Sequence, residues 1–142
     1  MAKEKFDLAD LDTRAKANEG YDLEILHPVS QEEIGLTVHI LGSDSKEYQK
    51  IVRATNSKRM DRLRKAGGLR NADIPLEEIE KDSVDLLVSC STGWKARGGL
   101  MLDGKEWPAF TKPVAAGLYD RFPWLREQID RGIVDRGNFI KG

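Results

Sequence analysis

The chain reads as a mostly α, α+β protein: a small N-terminal β-hairpin attached to a helical domain of about four helices. Three observations point there. Residues 21–41 alternate apolar and polar positions, as half-buried strands do. From Asp44 onward apolar residues recur at three- and four-residue spacing, the stripe of an amphipathic helix. Seven of the ten aromatic residues lie from Trp94 onward, which puts the tightest core between the second long helix and the C-terminal helices.

Residues 2–20 mix Ala, Lys, Asp and Glu, with Phe6, Leu8 and Leu11 as their only large apolar groups. So little apolar surface rarely offsets the entropy of ordering, so residues 1–20 are expected to be a flexible arm before one domain over 21–142. Tyr21, Leu23 and Ile25 share one face of a first strand. Ile34, Leu36, Val38 and Ile40 share one face of a second, and residues 27–32 between them carry turn chemistry. This hairpin, 21–42, is too small to stand alone and must pack on something.

The rest, 44–142, is mainly helical. Asp44-Ser45-Lys46-Glu47 has the form of a capping box, with Asp44 as N-cap. Tyr48, Ile51, Val52 and Thr55 follow as a stripe, in a helix that runs to Ala66 and stops at Gly67-Gly68. A second long helix starts near Ile74-Pro75, with Glu77, Glu78 and Glu80 at its positive dipole end. Its predicted buried stripe is Ile79, Ser83, Leu86, Leu87, Cys90 and Trp94, and Gly98-Gly99 end it. Asp103-Gly104, between short apolar segments, marks a tight hairpin. Thr111 is the N-cap of a short helix bearing Val114, Leu118 and Tyr119, with Pro113 in its first turn. Phe122-Pro123-Trp124 opens a last helix with Leu125, Gln128, Ile129 and Ile133 on one face.

Composition narrows the function classes. Lys and Arg total 23 against 24 Asp and Glu, which argues against a dedicated nucleic-acid or membrane-surface protein. A single cysteine and two histidines exclude a disulfide framework and Cys- or His-rich metal sites. The N-terminus is charged, and no stretch approaches the roughly 18 uninterrupted apolar residues of a membrane span. A soluble, cytosolic protein without cofactors is the expectation.

Catalytic patterns fail in turn. There is no phosphate-binding glycine motif and no nucleophile elbow around Ser89-Cys90-Ser91. Cys90 lies on a core stripe and reads as a small buried residue. His27 and His39 fall in the hairpin, and His39 reads as a solvated surface group. Adjacent carboxylates such as Glu32-Glu33 splay rather than converge. No catalytic, cofactor-binding or metal-binding residue is assigned. Two surfaces remain. One is a basic run, Lys58, Arg59, Arg62, Arg64 and Lys65, with Arg70 trailing; it is either a patch that binds phosphates or an acidic protein face, or a solvated helix end complementing the dipole. The other is the C-terminal aromatic set. Trp107, Phe110, Trp124, Phe139 and Ile140 are candidate partner-binding residues, the last two either docking back on the fold or offered to a partner.

Several segments, in order, are similar to the tail assembly chaperones of long-tailed bacteriophages and prophages. They are Ile40-Leu41-Gly42-Ser43-Asp44-Ser45 with Tyr48, and Cys90-Ser91-Thr92-Gly93-Trp94. Trp107-Pro108-Ala109-Phe110-Thr111, Leu118-Tyr119, residues 123–128 (PWLREQ) and residues 135–139 (DRGNF) complete the set. Together they span about residues 21–140. One departure stands out: the family usually shows a Glu-Asn-Ala type segment where this chain has Lys112-Pro113-Val114-Ala115-Ala116-Gly117. The resemblance implies a non-enzymatic protein of the host cytoplasm. Such chaperones keep the long helical tape measure protein soluble, help recruit the tail tube protein, and are absent from the finished particle. Many are also made in a form extended by a programmed ribosomal frameshift. Two other readings are a structural neck or tail component retained in the virion and a small nucleic-acid-binding regulator; nucleic acid and membrane are not expected partners.

Overall fold

A computed structural model describes residues 7–67 and 75–140. The expectations for Phe6, Gly68, Arg70 and Ile74 fall outside the described residues. The protein is a mostly helical α+β fold with a three-stranded antiparallel sheet, ordered β1-β2-β3. The strands are β1 (Tyr21–Leu26), β2 (Glu33–Ile40) and β3 (Ser91–Ala96). Among the described residues the helices are α1 (Thr13–Glu19), α2 (Lys46–Ala66), α3 (Leu76–Ser89), α4 (Lys112–Arg121), α5 (Pro123–Val134) and α6 (Gly137–Ile140).

The hairpin β1–β2 forms where alternation places it, with Tyr21 opposite Ile40 and Leu23 opposite Val38. Ile25, Leu36, Val38 and Ile40 are fully buried on its inner face. His27 organises the connecting turn, its Nδ1 accepting from the amides of Val29 and Ser30, both at 3.1 Å.

The third strand is a correction. The second long helix does not reach Gly98: α3 stops at Ser89, and Ser91–Ala96 instead pair with β2, Val38 facing Trp94. Thr92 and Trp94 favour a pleated surface, Gly93 is a poor helix former, and β2 had an unpaired edge to offer. The Lys112 ammonium then seals the helix end, donating to the carbonyls of Val88 at 2.9 Å and Ser91 at 3.0 Å. A cation at the negative end of the helix dipole is favourable there. Lys112 thereby ties the start of α4 to the end of α3. The buried stripe of α3 also differs from the expected one. Val84, Leu87 and Val88 are buried, whereas Ile79 and Ser83 are exposed.

The Asp103-Gly104 turn forms a hairpin between β4 (Met101–Leu102) and β5 (Lys105–Glu106), both turn residues at positive φ, 52° and 78°. That geometry matches the twist of the flanking strands. The Asp103 carboxylate accepts two bonds from Arg121, both 2.7 Å, which hold the hairpin to α4. Thr111 caps α4 as expected, accepting from the Val114 amide at 3.2 Å. The core lies between the sheet and α3, α4 and α5: Leu125, Ile129 and Ile133 of α5 pack toward β1 and β2, and Leu118 and Tyr119 of α4 belong to the same cluster.

The N-terminal arm needs correcting over its second half. Residues 8–11 form one 3-10 turn, and 13–19 form α1, which packs against α2 and α6. Ala17 is buried, and its carbonyl accepts from the Gly42 amide at 3.0 Å. A small residue on each side lets the backbones approach, which the count of large apolar groups does not register.

Asp44 does not cap α2. Ser45 does, its hydroxyl accepting from the Tyr48 amide at 3.2 Å. Asp44 instead accepts from Arg136 Nε at 2.7 Å and Nη2 at 2.9 Å, tying the C-terminal segment to the start of α2. The Arg136 guanidinium holds the Asp44 carboxyl down at about 2, against an ordinary 3.8. A depressed folded-state pKa gives stability that is present above the unfolded value and lost as pH falls toward 2. Asp44→Asn is therefore expected to cost about 1 kcal/mol at pH 7, after allowing for water around the exposed Arg136. At pH 2 most of that difference should vanish. Urea unfolding of both proteins at the two pH values checks this, and an equal cost at both would refute the pairing.

Candidate functional site

The structure scatters the sequence-predicted aromatic residues over three places. Trp107 and Phe110 gather around Trp94 on β3. The Trp94 and Phe110 rings meet edge to face at 4.9 Å, and Trp94 and Trp107 at 5.8 Å. The Trp94 indole N–H donates to the Pro108 carbonyl at 2.9 Å, while the buried Trp107 Nε1 has no hydrogen-bond partner. All three rings are half-buried, so the cluster cements the β4–β5 hairpin against the sheet.

Phe139 is a correction to the partner-binding set. It is buried, and its ring meets Tyr21 edge to face at 6.1 Å. The apolar chain end docks back on the fold, because α1, β1 and Gly42 together make a seat that no local stretch of sequence reveals. Ile140 beside it is half-buried.

Trp124 sits differently. It is half-buried at the side of an open groove between β1 and α5, with Leu23 and Leu26 on one wall and Glu127, Gln128 and Arg131 on the other. Gln128 fixes the spacing of that groove. Its side-chain amide accepts from the Leu26 amide at 2.9 Å and donates to the Leu26 carbonyl at 2.7 Å, standing where a neighbouring strand would pair. This blunts the sheet edge against strand addition. The expectation that Gln128 shares the apolar face of α5 carried no hint of that bond.

The basic run is largely engaged inside the protein. Arg62 donates to Glu78 at 2.7 Å, Lys58 lies 3.2 Å from Glu78 and 3.3 Å from Asp82, and Arg59 lies 3.8 Å from Asp82. The bond from Arg62 lowers the Glu78 pKa, and the bond to Glu78 raises that of Lys58. Arg64 faces Asp61 on its own helix at 3.8 Å. Among the described residues Lys65 alone of the five has no carboxylate within ion-pair distance. The run is a charge ladder between two antiparallel helices, and its acidic half, Glu78 and Asp82, was visible in the sequence but not paired with it.

Of the remaining titratable groups, Cys90 is fully buried and desolvation pushes its thiol up to about 12, which makes it a poor nucleophile. His39 is not simply solvated. It is half-buried, with Nδ1 2.7 Å from the Asp22 carboxylate and Nε2 3.0 Å from the Glu19 carbonyl, so it straps the end of α1 to the sheet. Among the described residues no three His, Cys, Asp or Glu side chains group as a metal ion would need, and no helix is long and apolar enough to cross a membrane.

These elements define a small α+β protein, mostly helical, with its half-buried aromatic and apolar groups opening onto shallow grooves. No family model, curated protein or solved structure matches the chain.

Proposed function

We propose that the protein is a tail assembly chaperone that acts without catalysis, holding the tape measure protein soluble in the host cytoplasm and helping to recruit the tail tube protein. A frameshift-extended form of the same chain would be a further partner. The ordered segments that resemble such chaperones support this reading. The observation that carries it is the open groove holding Trp124 beside Leu23 and Leu26, with Glu127 and Arg131 at its rim. Trp124, Leu23 and Leu26 form a narrow apolar strip in a groove otherwise lined by polar groups, among them Glu24, Gln31, Gln128, Asp135 and Asn138. A helix with a narrow apolar stripe and polar flanks suits it, and a long unassembled coiled-coil protein exposes many such stripes. Many weak copies along one filament would then cover it.

The test is co-expression with the neighbouring tape measure protein, then pull-down and light scattering. The long protein should become soluble only with this one, and many copies should co-purify. Trp124→Ala should weaken the association roughly 30-fold, the loss of about 2 kcal/mol expected of an aromatic anchor. Its fold should survive, because Trp124 is only half-buried. If the two proteins neither associate nor change each other's solubility, the reading fails. Mass spectrometry of purified particles would then decide whether the chain is a virion component.

A further inference from the structure

The longest helix is the least covered one. Between Lys46 and Lys65 no side chain of α2 is fully buried, and α2 packs mainly on α3. The ion pairs Arg62–Glu78 and Lys58–Asp82 set the two helices antiparallel and in register. On one side of their seam α2 presents Val52, Asn56, Met60 and Leu63, which follow at i+4, i+4 and i+3. On the same side α3 presents Leu76, Ile79 and Ser83. This face is apolar and open: Met60 is 52% exposed, Leu76 69% and Ile79 42%. Three of the eight large apolar residues exposed among the described residues therefore lie on one two-helix surface.

The charges at its borders say what fits it. Helix α2 carries eight Lys and Arg against Glu47 and Asp61, and α3 carries five Asp and Glu against Lys81. Three of those cations and two of those anions neutralise one another across the seam. Arg53 on α2 and Glu80 on α3 stay exposed with no ion-pair partner among the described residues. A single acidic helix laid on this face would be repelled by α3, and a single basic one by α2. The complementary object is a surface with one basic and one acidic helix side by side.

We infer that the face is covered by a second copy of the same chain, forming a two-fold four-helix bundle in which α2 of one protomer lies over α3 of its partner. The two-fold axis then runs along the helices. An axis across them would stack α2 on α2 and bring like charges together. The apolar residues of both faces become the bundle core, packed as in antiparallel bundles. Fourteen residues of α3 make a face about 20 Å long and, with two helices, about 20 Å wide. That is about 400 Å² on each copy, roughly half of what a stable interface buries, so the dimer is weak and concentration-dependent.

The inference stands independently of the chaperone reading. Light scattering after size exclusion at about 100 µM protein in low salt should give the mass of a dimer, and dilution roughly 100-fold should return the monomer. Monomer mass at both concentrations overturns the inference. Ile79→Glu, at an exposed position, should abolish the dimer at the higher concentration while leaving the circular dichroism spectrum unchanged. A charge exchange tests the arrangement of the helices. Glu80→Lys alone and Arg53→Glu/Arg64→Glu alone should each be monomeric, yet the two mixed together should form a heterodimer, because every border contact is then again of opposite sign. Failure to associate on mixing, or a Glu80→Lys variant that dimerises as strongly as the wild type, refutes the basic-over-acidic arrangement.

Discussion

Replacing Tyr119 with alanine should destabilise the fold by about 3–5 kcal/mol, and replacing it with phenylalanine by about 1 kcal/mol. Tyr119 heads the fully buried side chains by size, and it stands on α4, which packs against α3 and α5. Its ring fills space that Leu118, Leu87 and their neighbours cannot collapse into. Its hydroxyl lies 2.8 Å from Ser91 Oγ, which itself donates to the Leu87 carbonyl at 2.8 Å. Desolvation pushes the phenol up to about 12. Because the Ser91 proton already goes to Leu87, the Tyr119 hydroxyl is the donor to Ser91. Phenylalanine keeps the packing and leaves Ser91 still bonded to Leu87, so only one hydrogen bond is lost. Urea unfolding of both variants measures the two costs. An alanine variant within 1 kcal/mol of the wild type would mean that α4 does not pack as described.

Gly42→Val should cost about 2–3 kcal/mol and release both chain ends. A Cβ built on Gly42 comes within 2.8 Å of the Ala17 Cβ and 3.0 Å of the Phe139 ring. Neither neighbour can yield easily. Ala17 has no longer side chain to swing away, its carbonyl is already bonded to the Gly42 amide, and Phe139 is buried against Tyr21. The valine would force α1 and α6 off the body of the protein, while the core between the sheet and α3–α5 remains. Limited proteolysis should then cut within residues 13–20 and near 137–140 faster than in the wild type. In the background of Gly42→Ala, the second change Ala17→Gly should restore part of the stability by removing the clashing methyl. Absence of that rescue would show that contact with Ala17 does not limit the site.

The basic run shows how a feature legible in the sequence changes meaning in the fold. Lys58, Arg59 and Arg62 stand out as unbalanced charge along α2, but the carboxylates that balance them sit on α3, sixteen or more residues away. A window along one helix cannot contain both halves of a ladder between two. Phe139 misleads in the same way: an apolar residue near a chain end has no local partner, and its partners are Tyr21 and Gly42, about a hundred residues earlier. Trp124 stands in the sequence as one of the C-terminal aromatic set, with nothing local to set it apart from Trp107 or Phe110. The groove around it depends on how far α5 stands from β1, which Gln128 holds through the Leu26 backbone.

Features set within a few residues were readable directly. The alternation of 21–41 made β1 and β2, the Asp103-Gly104 pair made its hairpin, Thr111 capped α4, and Leu125, Ile129 and Ile133 made the buried stripe of α5. Each follows from backbone preference and side-chain period, which act over one turn or one strand. What needed the assembled fold was every choice between local options of similar free energy. Ser91–Ala96 could continue a helix or extend, and the unpaired edge of β2 decided for the strand. Asp44 and Ser45 could each cap α2, and Arg136 took Asp44. Residues 13–19 had too little apolar surface to order alone, and contact with Gly42 and α6 supplied the rest. In each case the deciding energy comes from a group distant in sequence and close in space, so no local pattern records it.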